Sequence, residues 1–102
     1  MHVTVTNKRR HTPEGVPAVY IGRPSSLGNP FKMSKTMGRE EVIARYAAWL
    51  DAQLVEPDSA AARELARLRA ILQERGALTL VCWCAPLPCH GDVIRERLLG
   101  IA

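Results

Sequence analysis

The stretch ALTLVCWC, residues 77–84, constrains the fold more than any other part of the chain. It is a nearly unbroken apolar run with β-branched and aromatic side chains. A strand with one wet face alternates apolar and polar residues, and this run does not. It therefore predicts a central strand buried on both faces, as in a parallel sheet covered by helices. Two shorter segments can supply its neighbours. HVTVT, residues 2–6, alternates as a half-buried strand does. VPAVYIG, residues 16–22, is β-branched and aromatic, and Gly22 ends it.

Helices fill the space between strands. One begins at Gly38, with Glu40 and Glu41 in its first turn, where the helix dipole favours acids. Its apolar stripe is Ile43, Ala47, Leu50 and Leu54, with Tyr46 beside it, and it stops before Pro57. Asp58 or Ser59 can cap the next helix, whose stripe is Ala61, Leu65, Leu68 and Leu72. Gly76 closes that helix. After the apolar run comes a Pro-rich turn, APLPCHG, and a short helix ending at Gly100. The order β-β-α-α-β-α predicts one α/β domain over residues 1–102, a short sheet with helices packed on it.

Composition narrows the classes of function. Hydrophobic residues make up 47% and charged residues 24%, an ordinary balance for a soluble globular domain. No stretch approaches the roughly 18 apolar residues a membrane span needs. The start, MHVTVTNKRRHTPEG, lacks the apolar core of a signal peptide, so the expectation is a cytoplasmic protein without membrane partners. Residues 1–50 carry eight Lys or Arg against three acids, and residues 51–102 carry six against seven. A basic N-terminal half favours an anionic small molecule or nucleic acid as partner. The alternative is a solvated basic surface.

All three cysteines lie in LVCWCAPLPCHGDV, residues 80–93, and a histidine follows the last. In an extended segment Cys82 and Cys84 point to one face, and Val81 and Trp83 to the other. Cys89 falls near the start of the last helix, where backbone N–H groups are unpaired. Such a position lowers a thiol's pKa and attracts anions. Three readings compete. The first is a catalytic or ligand-binding site using Cys89, His90 and Asp92, with Cys84 and Gly91 beside them and no cofactor. The second is zinc held by Cys82, Cys84, Cys89 and His90; the residue types suit zinc, but the spacing does not match its usual knuckles. The third is packing, with Cys82 and Cys84 buried and His90 and Asp92 capping the helix.

The second constellation is YIGRPSSLGNPF, residues 20–31. Gly22 allows a turn or a close ligand, and Arg23 offers a planar fork for phosphate or carboxylate. Ser25 can donate hydrogen bonds, Asn29 belongs to a turn, and Lys32 can add charge. The P-loop pattern is absent. Phe31 is expected as a core anchor. His11 is expected at the surface, and Tyr20, Tyr46, Trp49 and Trp83 are expected in the core.

Taken in order, VYIGRPSSLGNPF, REEVIARYAAWL and LVCWCAPLPCHGDVI resemble the family known as Domain of Unknown Function 4326, small domains of phages and bacteria. The resemblance runs from about Val19 to Leu98. It implies that Gly22, Arg23, Ser25, Gly28, Asn29, Pro30, Cys82, Trp83, Cys84, Cys89, His90, Gly91 and Asp92 carry the family signature, and it brings no activity with it. AQLVEPDSAAARELARL departs into a generic helix. The last block is also similar to a second uncharacterised family with Cys-His-Arg at the helix start, where this chain has Gly91 in place of the Arg.

The expectation is a domain that binds a nucleotide-like or nucleic-acid ligand, as a binding module or a small enzyme. Arg23 and the N–H groups near Cys89–Gly91 would hold an anion, Cys89 or His90 would do chemistry, and Asp92 would orient His90. A zinc-stabilised binding module and a phage-type accessory protein that binds a host protein are the alternatives.

Overall fold

The structure is a computed structural model and describes residues 1–85 and 87–101. Pro86, in the expected Pro-rich turn, lies outside the described residues. The chain runs β1 (His2–Asn7), β2 (Ala18–Tyr20), α1 (Arg39–Val55), α2 (Ala60–Arg75), β3 (Ala77–Cys82) and α3 (His90–Ile101). This is the α/β order that the hydrophobic pattern predicts.

The apolar run takes the centre of the sheet. The strand order is β1-β3-β2, and β3 is parallel to both neighbours. Leu80 stands between Val5 on one side and Val19 on the other. From Leu78 to Cys82 every residue of β3 is buried. Two expected ends shift. The strand stops at Cys82 and not Cys84, because β1 ends opposite it at Asn7. There the Asn7 side-chain amide donates to the carbonyls of Trp83 (2.8 Å) and Ala85 (3.2 Å), drawing them out of the ladder. Strand β2 is shorter than expected, although Ile21 N–H still donates to the Val81 carbonyl at 2.9 Å.

Helices α2 and α3 pack on the sheet, and α1 packs on α2 and α3. In α2 all four stripe residues are buried. Ser59 caps it, accepting from Ala62 N–H at 3.1 Å, and Gly76 ends it at φ +76°. Leu65, Leu68 and Leu72 meet Leu78, Leu80 and Cys82 of β3 and Ile94 and Leu98 of α3 in one core. Each such leucine contributes about 1.5–3 kcal/mol by leaving water.

In α1 the buried face is Val42, Tyr46 and Leu50, so the expected stripe is rotated by one residue. Ile43, Ala47 and Leu54 flank it, half-buried. The Tyr46 hydroxyl draws that residue inward by donating to the Leu27 carbonyl at 2.7 Å. Helix α3 runs past Gly100 to Ile101. Arg95 Nε ties it to the Val3 carbonyl at 2.7 Å, and the Arg97 fork ties it to Asp51 of α1 at 2.8 and 3.1 Å. No helix among the described residues is long and apolar enough to cross a membrane.

Candidate functional site

Parallel strands end at the same edge of a sheet, and open α/β sheets bind ligands there. Here β2 and β3 both release the chain at that edge, into the loop after Tyr20 and the turn after Cys82. A cavity of about 480 Å³ lies between the two segments and the start of α1. The β2 side contributes Tyr20, Gly22, Arg23, Asn29, Phe31 and Lys32. The β3 side contributes Trp83, Cys84, Pro88, Cys89 and His90. Arg39, Val42 and Ile43 of α1 and Met33 complete the wall. Its volume is that of an ordinary small-molecule site.

The loop after β2 is held by its own short bonds. Ser25 N–H donates to the Gly22 carbonyl and Gly28 N–H to the Ser25 carbonyl, each at 2.8 Å. Ser25 Oγ accepts from Leu27 N–H at 3.2 Å, and Asn29 Oδ1 accepts from Phe31 N–H at 2.9 Å. Leu27 is fully buried and carries the carbonyl that Tyr46 holds. A Cβ on Gly22 would run into the hydroxyl end of the Tyr20 side chain. Tyr20 Oη donates to the Arg23 carbonyl at 3.0 Å and accepts from Trp83 Nε1 at 3.1 Å, linking the two walls.

The turn after β3 leads into α3. Asp92 Oδ2 accepts from Cys89 N–H at 3.0 Å, and Cys89 Sγ accepts from Gly91 N–H at 3.3 Å. Asp92 N–H donates to the Cys89 carbonyl. This is a capping arrangement, a carboxylate three residues into the helix reaching back to the residue before it. It corrects two expectations. The N–H groups of Cys89 and Gly91 are engaged by the protein's own acceptors and are not open to a ligand anion. Asp92 bonds to the backbone of Cys89 and not to His90. Gly91 is wedged against Val5 and Ile21, and Ser25 serves its own turn; neither lines the cavity.

His90 is buried, and its Nε2 lies 2.8 Å from the Ile21 carbonyl. A carbonyl only accepts, so Nε2 carries the proton. Burial, with the Arg23 charge adding to it, holds the imidazole below its ordinary pKa despite the Ile21 carbonyl and Asp92. The neutral ring then leaves Nδ1 an acceptor, with no partner among the described residues. The Tyr46 ring meets His90 edge-on at 5.1 Å between centroids.

The sulfurs of Cys82 and Cys89 are 3.4 Å apart, both buried. The hydrogen-bonding contact with Cys89 lowers the Cys82 pKa, helped by N–H groups of Ala85 and Cys84 and opposed by burial. Cys89 moves the other way, pushed up by its bond to Cys82 and by burial. A helix start is expected to acidify Cys89; the contact with Cys82 and the loss of water outweigh it. Cys84 is free, half-buried and on the cavity wall. Among the described residues no three His, Cys, Asp or Glu side chains stand close enough to share a metal ion.

The model of the family described as Domain of unknown function (DUF4326) matches residues 5–100, nearly the whole chain. The chain belongs to that family. No curated protein and no solved structure matches it. In this DUF4326 domain, Gly22, Arg23, Asn29, Lys32, Cys84, Cys89 and His90 line one cavity, and Ser25, Gly91 and Asp92 do not. Arg23 and His90, expected to share a ligand, line the same cavity from its β2 and β3 sides. Among the contributors that escape the sequence reading, four are polar or aromatic groups that hold the site together. Arg39 lies at a helix start, and its Nη1 donates to the Pro88 carbonyl at 3.0 Å. Asn7 fixes the 83–85 turn from the end of β1. Tyr20 and Trp83, expected in the core, are half-buried and 51% exposed respectively. Trp83 is exposed because β3 ends at Cys82, one residue before it, which the apolar run to Cys84 does not show.

Proposed function

We propose that this domain binds a nucleotide-like or nucleic-acid ligand in the cavity at the ends of β2 and β3. One observation carries the reading. Arg23, Lys32 and Arg39 line the cavity, and no Asp or Glu among the described residues does. Three cations around a partly apolar wall suit a ligand with an anionic group and a flat, poorly hydrated body. Phe31, Met33, Val42, Ile43 and Pro88 give that wall its apolar part. The protein works in the cytoplasm on this reading, where three free thiols persist.

If the domain is also an enzyme, His90 is the group to move a proton. It is neutral, fixed by Ile21 and lines the same cavity as Arg23. Cys89, with its proton held, is the poorer nucleophile.

A thermal-shift screen of mononucleotides and short oligonucleotides tests the proposal. A ligand at about a hundred times its Kd adds about 2.7 kcal/mol, which raises the Tm of a domain this size by about 10 °C. Arg23→Ala and Arg39→Ala should each lose most of that rise. A screen in which no nucleotide or oligonucleotide moves the Tm sinks the reading, and would favour the host-protein alternative instead.

A further inference from the structure

Outside the cavity mouth the surface carries a second feature. Trp83 is 51% exposed, yet its ring is not free to wander. Its carbonyl is held by Asn7 and its Nε1–H by Tyr20 Oη. Two cations from the end of β1 lie against the aromatic pair. Lys8 Nζ is 4.7 Å from the Tyr20 centroid and 5.3 Å from that of Trp83. Arg9 Cζ is 5.8 Å from the Trp83 centroid. Neither Lys8 nor Arg9 lines the cavity, but Tyr20 and Trp83 do. The platform is thus continuous with the cavity and adds charge that a ligand confined to the cavity would not meet.

We infer that the ligand is a single strand of nucleic acid, with one nucleotide in the cavity and a neighbouring base stacked on Trp83. This rests on the cavity reading and sharpens it from a nucleotide to a strand. Lys8 and Arg9 lie over these rings, and a base that takes the Trp83 face displaces them towards its phosphates, as the cations beside stacking platforms do in sequence-tolerant single-strand sites. A mononucleotide has no further phosphate for Lys8 and Arg9. A duplex keeps its bases stacked on one another and cannot lay one on Trp83. Arg10, next along the chain, continues the basic run.

The test uses intrinsic fluorescence. The chain has two tryptophans, and Trp49→Phe leaves Trp83 as the reporter. A thymidylate or uridylate decamer should quench that emission and bind about five-fold or more tighter than the matching mononucleotide. Binding of either decamer supports the inference, and the two arms tell DNA from RNA. In isothermal calorimetry, Trp83→Ala and the double variant Lys8→Ala/Arg9→Ala should bring the ratio of decamer to mononucleotide affinity towards one. Trp83→Phe should restore most of it, which separates stacking from a folding defect. A mononucleotide that binds as tightly as the decamer overturns the strand inference and leaves the cavity reading standing. A duplex that binds as tightly as the single strand also overturns it. If neither mononucleotide nor decamer binds, both readings fall.

Discussion

His90 shows how one residue sets the electrical state of the site. The folded protein keeps its ring neutral, whereas the unfolded chain takes up a proton near pH 6.5. Below that value the unfolded state carries more protons, so stability falls as pH falls towards the lowered folded pKa. Urea denaturation of wild type and His90→Gln should show this. The Gln amide keeps a donor for the Ile21 carbonyl without titrating, so its advantage over wild type should grow between about pH 7 and pH 5. Cys82, also depressed, acts in both proteins and cancels in the difference. A constant gap between the two proteins across that range would mean that His90 titrates in the fold as it does in the unfolded chain. The cysteines make a second prediction at this scale. Iodoacetamide on the native protein should modify Cys84 first, because Cys82 and Cys89 are 1% and 3% exposed. Peptide mass spectrometry should find the other two labelled only after denaturant. Labelling of Cys82 at the rate of Cys84 would show the buried pair opening to solvent.

At the scale of elements, the start of α3 decides how the site is held. A Cβ on Gly91 would come within 2.9 Å of Val5 Cγ1, 3.0 Å of Ile21 Cδ1 and 3.2 Å of Cys89 Sγ. These atoms belong to β1, to the residue just after β2 and to the helix cap, so Gly91 lets α3 sit close to the sheet edge. Gly91→Ala should cost about 1–3 kcal/mol in guanidinium unfolding. Gly100→Ala, with open space around it, should cost nothing and can gain a few tenths. Equal effects at both positions would place the cost in helix propensity and not in packing. The same elements show what a sequence can tell. Helix α2 was readable to its cap and its last turn, because one face meets the core and Ser59 and Gly76 mark its ends. Helix α1 was misread by one position, because Tyr46 turns inward to a carbonyl nineteen residues away, which no periodicity contains. The helix start at Cys89 looked open to anions because nothing in a list of unpaired N–H groups says who takes them. The Asp three residues after Cys89 was the available sign that the chain caps itself.

At the scale of the whole molecule, the parallel sheet gathers charge from segments far apart in sequence. Lys8 and Arg9 follow β1, Arg23 and Lys32 follow β2, and Arg39 opens α1, yet all five border the cavity or its aromatic rim. The excess of cations in residues 1–50 was visible in the sequence, but their convergence was not, since it depends on strand order. Acids elsewhere are partly spent on their own partners: Asp51 on Arg97 and Glu64 on Arg67, at 2.8 and 2.7 Å. The convergence makes a claim that net charge alone does not. For a single strand, the slope of log affinity against log salt is about −0.7 for each phosphate neutralised. Removing two cations that touch the ligand should therefore flatten the slope by about 1.4 units, while removing a cation elsewhere should leave it unchanged. The comparison is Arg23→Gln/Arg39→Gln against Arg63→Gln, an exposed position on α2, each titrated with the decamer from low to moderate salt. Flattening confined to the first variant locates the binding at the strand ends. If Arg63→Gln flattens it as much per charge removed, the decamer senses the molecule's overall field, and the cavity is not where it binds.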